Sequence, residues 1–210
     1  MIVDITNVLN DTFGFNFASL NGNRSNKRTT ALHKGIMELY LEYRNDPQLS
    51  IKYEYKIQCF WGKTFNCDAV IFKNGEIESV FLFKLHQASI LKNLFNSLNT
   101  TIGEIFRIVG SDNYIKQPFN MVFLEFMPKK TLVFSGKNYK IEDVFKRFAI
   151  VRKILTHPWF SGMKNLYVEK IWYVDNGFFT KALRENKIDG KCVSYDSYIE
   201  NVTFDLSKLP

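Results

Sequence analysis

Apolar and polar residues alternate without a break in the stretch from Ile51 to Cys59, with Ile51, Tyr53, Tyr55, Ile57 and Cys59 set against Lys52, Glu54, Lys56 and Gln58. A period of two predicts a half-buried antiparallel strand. Two further runs rich in Val, Ile and Phe follow, one opening at Cys67-Asp68 and one closing at Lys84. They are separated by Asn74-Gly75, a dipeptide that marks a hairpin turn. Upstream the period is helical: Leu32, Ile36, Tyr40 and Tyr43 recur between a capping Thr29 or Thr30 and Arg44. Downstream, Ile90, Leu91, Leu94, Leu98 and Ile102 form the stripe of a second helix that starts near Ala88. Met121 to Pro128 is a largely apolar run, as expected of a strand covered on both faces. After it come a helix from about Lys140 to Leu155, a strand near Leu166 to Val174, a short helix around Phe178 to Glu185 and a weaker β-like tail from Cys192. The chain is therefore expected to be α/β, a mixed central sheet flanked by helices, with an early order of helix, three strands, helix, strand.

The loop length at Asn74-Gly75 decides which residues of the hairpin meet, because a one-residue slip exchanges the two faces of a strand. A two-residue turn pairs Asp68 with Phe81 and sends Lys84 to the other face. A three-residue loop, Lys73-Asn74-Gly75 with a bulge at Gly75, pairs Asp68 with Val80 and puts Asp68, Leu82 and Lys84 on one face. Diagonal neighbours there lie within about 7–8 Å. The second geometry is preferred, since it lets the acid and the lysine meet.

Composition narrows the picture only in places. With 210 residues, 46% of them hydrophobic, the chain can bury one sizeable core, and a single domain over 1–210 is expected, with a core of about 29–130 and a C-terminal elaboration over 131–210. A net charge of +7 suits a polyanionic partner and equally suits an ordinary basic protein. Cys59, Cys67 and Cys192 are unclustered, which points to neither a disulfide framework nor a zinc site. No apolar run is long enough to span a bilayer and the N-terminus has no basic n-region, so a cytoplasmic protein without membrane association is expected. His33, His86 and His157 are far apart in sequence and are read as structural, with His86 sharing a face with Lys84.

The order αβββαβ, with Asp68 opening the second strand and Leu82-Phe83-Lys84 closing the third, resembles the PD-(D/E)XK nucleases, the group that holds most type II restriction endonucleases. The stretch from Ser89 to Ile108, followed by Met121 to Pro128, is distantly similar to the restriction enzymes of the BamHI and BglII group. The resemblance covers roughly Leu32 to Lys130. It implies a Mg²⁺-dependent endonuclease that hydrolyses phosphodiester bonds at a specific site in double-stranded DNA and works as a homodimer, with Asp68 as first acid and Lys84 as catalytic lysine.

One position departs from the motif: the family's second acid is Leu82 here. Mg²⁺ is a hard cation that is usually anchored through one or two carboxylates, and a leucine adds nothing to that shell. Glu42, one turn from Glu38 on the edge of the first helix's apolar stripe, is the preferred replacement, as a metal ligand with Asp68 and a catalytic residue; Glu38 is the second choice. Loss of the acid, leaving a catalytically inactive nuclease fold that binds nucleic acid, is the alternative, and an engineered leucine a third. Nucleic-acid contacts are assigned to Arg24, Lys27 and Arg28 in a polar loop, and to Lys92, Asn93, Asn96 and Arg107 on the second helix.

Overall fold

The computed structural model describes residues 1–9, 26–85, 90–128, 157–161, 163–173 and 202–210. Its elements in chain order are β1 (Ile2–Asp4), α1 (Asn26–Arg44), β2 (Leu49–Gln58), β3 (Thr64–Lys73), β4 (Glu76–Leu85), α2 (Ile90–Val109), α3 (Asp112–Lys116), β5 (Asn120–Pro128), α4 (Pro158–Ser161), β6 (Leu166–Tyr173) and β7 (Thr203–Asp205). Strands β2 to β6 form one five-stranded sheet in sequence order, and β1 pairs with β7 in a separate two-stranded ribbon. The first two pairings are antiparallel and the last two parallel. A mixed α/β sheet flanked by helices is thus what the periodicities describe. The sheet does not stop at residue 130, because β6 is its fifth strand. The expected helices at Lys140–Leu155 and Phe178–Glu185 lie outside the described residues, as does most of the tail from Cys192, whose described end supplies β7.

Side-chain alternation gives the sheet two cores. Ala69, Ile71, Phe81, Phe83, Val122, Leu124 and Phe126 pack on Leu32, Ile36, Met37 and Tyr40 of α1. Val70, Phe72, Val80, Leu82, Met121 and Phe123 pack on Ile105 and Ile108 of α2. Full burial of side chains this size stabilises by roughly 1.5–3 kcal/mol each, which is why helix and sheet register are tightly coupled. Gly35 sits in the middle of α1 for a packing reason: a Cβ there would lie 2.7 Å from Val8 Cγ1, against the N-terminal segment that buries Ile5 and Leu9.

The hairpin turn differs from the expected three-residue loop. Lys73 pairs directly with Glu76, leaving a two-residue Asn74-Gly75 turn in which both residues have positive φ, 54° and 86°. That is the twist-matched hairpin turn that Asn-Gly favours. The extra residue sits instead in β4: Phe72 pairs with Ile77 and Ile71 with Ser79, so Glu78 is bulged. From there Ala69 faces Phe81, and the next step places Leu82 opposite Asp68. The bulge restores the parity that the loop was expected to provide. Bulged Glu78 is held by Arg44 at the end of α1, at 2.9 Å.

A second irregularity shapes the site. Tyr53 pairs with Ala69 and Tyr55 with Cys67, which brackets Glu54 and Asp68 opposite one another. Ile51, Tyr53, Ala69 and Ile71 lie in the α1 core, whereas Tyr55, Ile57, Phe65 and Cys67 lie in the α2 core. Both strands therefore change face at Glu54 and Asp68. Glu54 has φ 50°, a left-handed conformation rarely adopted by a non-glycine residue, and this reverses the side on which β2 presents its next residues. Among the described residues, no helix is long and apolar enough to cross a membrane.

Candidate functional site

Asp68 stands where the β2–β3 hairpin crosses from one core to the other. Its Oδ2 accepts a hydrogen bond from the backbone N–H of Phe83 at 2.8 Å, replacing a ladder acceptor at the point where β3 and β4 cease to pair. Burial pushes its carboxyl above the usual aspartate range; the Phe83 N–H and the Lys84 charge oppose that shift without cancelling it. A carboxylate so incompletely compensated gains from an added cation.

Two further donors converge on it. His33 of α1, Glu54 of β2 and Asp68 of β3 have ligand atoms all within 4.8 Å of one another, and this group can hold a metal ion. His33 belongs to the buried side of α1 and its ring stacks on Phe83, centroids 4.5 Å apart. Burial lowers its pKa to about 4, with the Glu54 charge opposing, so the imidazole is neutral near pH 7 and has a lone pair to give. Glu54 is the exposed member, held by a hydrogen bond that the Asn66 amide donates to its Oε2. The trio is buried at its back and open at Glu54.

Lys84 follows Leu82 by two residues on β4 and so shares the α2 face of the sheet. Its ammonium donates to Glu104 Oε1 of α2 at 2.6 Å, and both side chains are largely buried. Removing one partner of such a pair costs about 3–5 kcal/mol, because the other charge is left behind. Glu104 is itself pushed up by burial, an effect that Lys84 offsets and Asp68 reinforces. The parallel register sets Lys84 beside Glu125 and Glu125 beside Lys170. Buried Glu125 is shifted upward by desolvation against the pull of Lys170 and Lys84. A row of alternating charge thus crosses three neighbouring strands.

The Lys84 charge acts on Asp68, but the lysine is bonded to Glu104. Glu42 does not join them. It is exposed, nine residues beyond His33 and so about 13 Å further along α1, at the end that packs near the hairpin turn. Glu38 is exposed as well, its charge acting on Tyr53. The helix does bring one possible metal donor to Asp68, presented from its buried side: His33. A histidine within the stripe of Leu32, Ile36 and Met37 is the available signal: buried and stacked on Phe83, it fits a structural role and also stands within reach of Asp68 and Glu54. Glu54 carried no signal, since it alternated regularly with apolar neighbours.

Of the expected nucleic-acid contacts, Arg24 lies outside the described residues. Lys27, Arg28, Lys92 and Asn93 fall on the first turns of α1 and α2, with side chains outside the description. Asn96 and Arg107 are exposed on α2, Arg107 over the Phe65 ring at 5.9 Å. His86 lies outside the described residues, and exposed His157 accepts from the Trp159 N–H. Comparison with protein-family models, curated proteins and solved structures finds no match to this chain.

Proposed function

We propose that the chain is a metal-dependent phosphodiesterase acting on DNA, most nearly a type II restriction endonuclease. The observation that carries the reading is the meeting of Asp68, His33 and Glu54 beside Lys84. Two carboxylates and a neutral imidazole suit a divalent ion; the oxygens fit Mg²⁺, and the nitrogen makes Mn²⁺ an equal or better occupant. When bound, such an ion supplies Lewis-acid polarisation of a phosphoryl oxygen and an acidified water.

The residues divide the remaining work. His33 and Asp68 are fixed donors, one locked by its stack on Phe83 and the other by the Phe83 N–H. Exposed Glu54 leaves the substrate side open. Lys84 places a fixed positive charge where charge grows on the attacked phosphate. A basic chain of net charge +7 favours approach of a polyanion. Double-stranded DNA as substrate and a homodimer matched to a palindromic site are part of the same proposal.

The test is plasmid incubation with Mg²⁺, with Mn²⁺ and with EDTA, for the wild type, Asp68→Asn and Lys84→Ala. Metal-dependent discrete fragments from the wild type, none from either variant, and DNA affinity retained by Lys84→Ala are expected, because the lysine acts in the transition state. The burial of Leu82 in the α2 core favours a second reading, a binding protein that has lost catalysis. A retarded but intact plasmid in every metal would establish that reading in place of the first.

A further inference from the structure

Seven large apolar side chains are exposed among the described residues, and the four aromatic ones gather at the C-terminal end of α2. Phe60 and Trp61 come from the turn between β2 and β3, Phe106 from α2 and Trp159 from α4, each between 41% and 69% exposed. They meet in pairs. Phe60 and Trp61 are edge-on, with ring centroids 4.7 Å apart and planes at 84°, whereas Phe106 and Trp159 are stacked at 4.7 Å and 24°. Gly110 joins the two pairs. The Phe60 N–H donates to the Gly110 carbonyl at 2.9 Å, and the Phe60 ring lies so close over Gly110 that a Cβ there would stand 2.8 Å from its Cδ1. Phe106, whose carbonyl accepts from the Gly110 N–H at 2.9 Å, sits one helical turn earlier on the same face.

A cluster of exposed aromatic rings marks an interaction surface, and the charge around it selects the occupant. Lys63 lies two residues after Trp61 in the same turn, Arg107 follows Phe106, and Lys116 closes α3 just beyond Gly110; all three are exposed. Against them stands exposed Asp112, since Glu104 is committed to Lys84, so positive charge prevails. A second copy of this chain would bring the same cations up to these. A duplex brings phosphates but hides the faces of its bases in its own stack. An unpaired strand offers both a flat face for each ring and a repeating negative charge.

We infer that Phe60, Trp61, Phe106 and Trp159 form a stacking platform for the unpaired bases of single-stranded DNA, with Lys63 and Arg107 beside its phosphates. The choice of DNA over RNA rests on the reading of the chain as a phosphodiesterase acting on DNA; the platform itself does not. The platform also shares α2 with Glu104, the partner of Lys84.

The experiment uses the full chain in EDTA and an end-labelled oligodeoxythymidylate of about twelve nucleotides. Affinity is read from the anisotropy of the label, and stacking from the quenching of tryptophan fluorescence. The wild type should bind with saturable quenching. Trp61→Ala and Phe106→Ala should each weaken binding at least about fivefold, the low end of what one base–ring stack contributes. Gly110→Ala, which keeps every ring but displaces that of Phe60, should weaken it less, and Lys63→Gln should lower the slope of affinity against salt by about 0.7. Circular dichroism checks folding; if Phe106→Ala does not fold, Trp61→Ala, in an exposed turn, decides. Binding without quenching, or affinity undiminished in both ring variants, overturns the inference. So does a duplex of the same length that binds as tightly with the same losses, which makes the face a phosphate-binding surface. Tighter binding of oligouridylate assigns the platform to RNA instead, and a dimer in sedimentation that Trp61→Ala dissociates assigns it to a second copy. Plasmid cleavage without oligonucleotide binding overturns the inference alone; oligonucleotide binding as expected, without cleavage in any metal, supports it and overturns only the reading of the metal site.

Discussion

Burial of His33 makes the stability of the fold depend on pH. Its pKa is about 4 in the folded protein, against 6.5 for an unperturbed imidazole. The folded state therefore binds fewer protons than the unfolded chain at mildly acidic pH. This contribution is complete above the unfolded value and is lost as the pH falls from 6.5 through 4. At pH 5 the unfolded imidazole is nearly all protonated and the folded one nearly all neutral. The gap to the unfolded value is about 1.5 units, at about 1.4 kcal/mol per unit, so about 2 kcal/mol disappears between pH 7.5 and pH 5. Asp68, Glu104 and Glu125 work in the opposite direction, since burial raises all three and their folded forms take up protons as the pH falls. The wild-type slope alone mixes both signs. His33→Phe isolates one of them, because phenylalanine keeps a ring against Phe83 and does not titrate. Urea unfolding in EDTA, followed by circular dichroism at pH 7.5 and 5, is the assay. The wild type should lose about 2 kcal/mol more than His33→Phe over that interval. Equal losses would refute the argument, because the imidazole would then be reaching solvent or a carboxylate as a cation.

Glu42→Gln, a change at an exposed helix position, should leave cleavage unaltered and shift unfolding free energy by no more than about 0.5 kcal/mol; a large loss of activity would return Glu42 to the site. Leu82→Ala should cost about 2–5 kcal/mol in the same urea titration, because the side chain is 2% exposed and its removal leaves a cavity under α2. A loss below about 1 kcal/mol would mean that α2 collapses onto β4.

Most of the sheet was legible because its signals are local. The alternation in β2, the Asn-Gly turn and the apolar run of β5 each report a strand through its own neighbours. Asp68 and Lys84 were legible for the same reason, as charges interrupting apolar strands. What the sequence could not convey were choices made at a distance. The bulge puts Glu78 where Arg44, from a distant part of the chain, pairs with it. The face change at Glu54 turns on a single φ in a strand whose alternation is otherwise regular. His33 meets Asp68 and Glu104 meets Lys84 because the helices bearing them lie on opposite faces of one sheet, and the two are 71 residues apart in the chain. Glu42 lies on the edge of the α1 stripe and is exposed, whereas the residue of α1 that comes near Asp68 lies within the stripe itself.

The reversal of β2 at Glu54 also bears on how copies of this chain can meet. As the outer strand of its sheet among the described residues, β2 has one flank of backbone N–H and C=O groups that no other described strand covers. A long, flat flank of that kind invites another strand to zip onto it. Here the flank is broken midway by a residue with φ 50°, and exposed Lys52 and Lys56 stand on either side of the break. A second chain that began to pair along one half would lose register at the other and bring lysines toward lysines. The bend that gathers His33, Glu54 and Asp68 therefore also discourages continuous edge-to-edge pairing along β2.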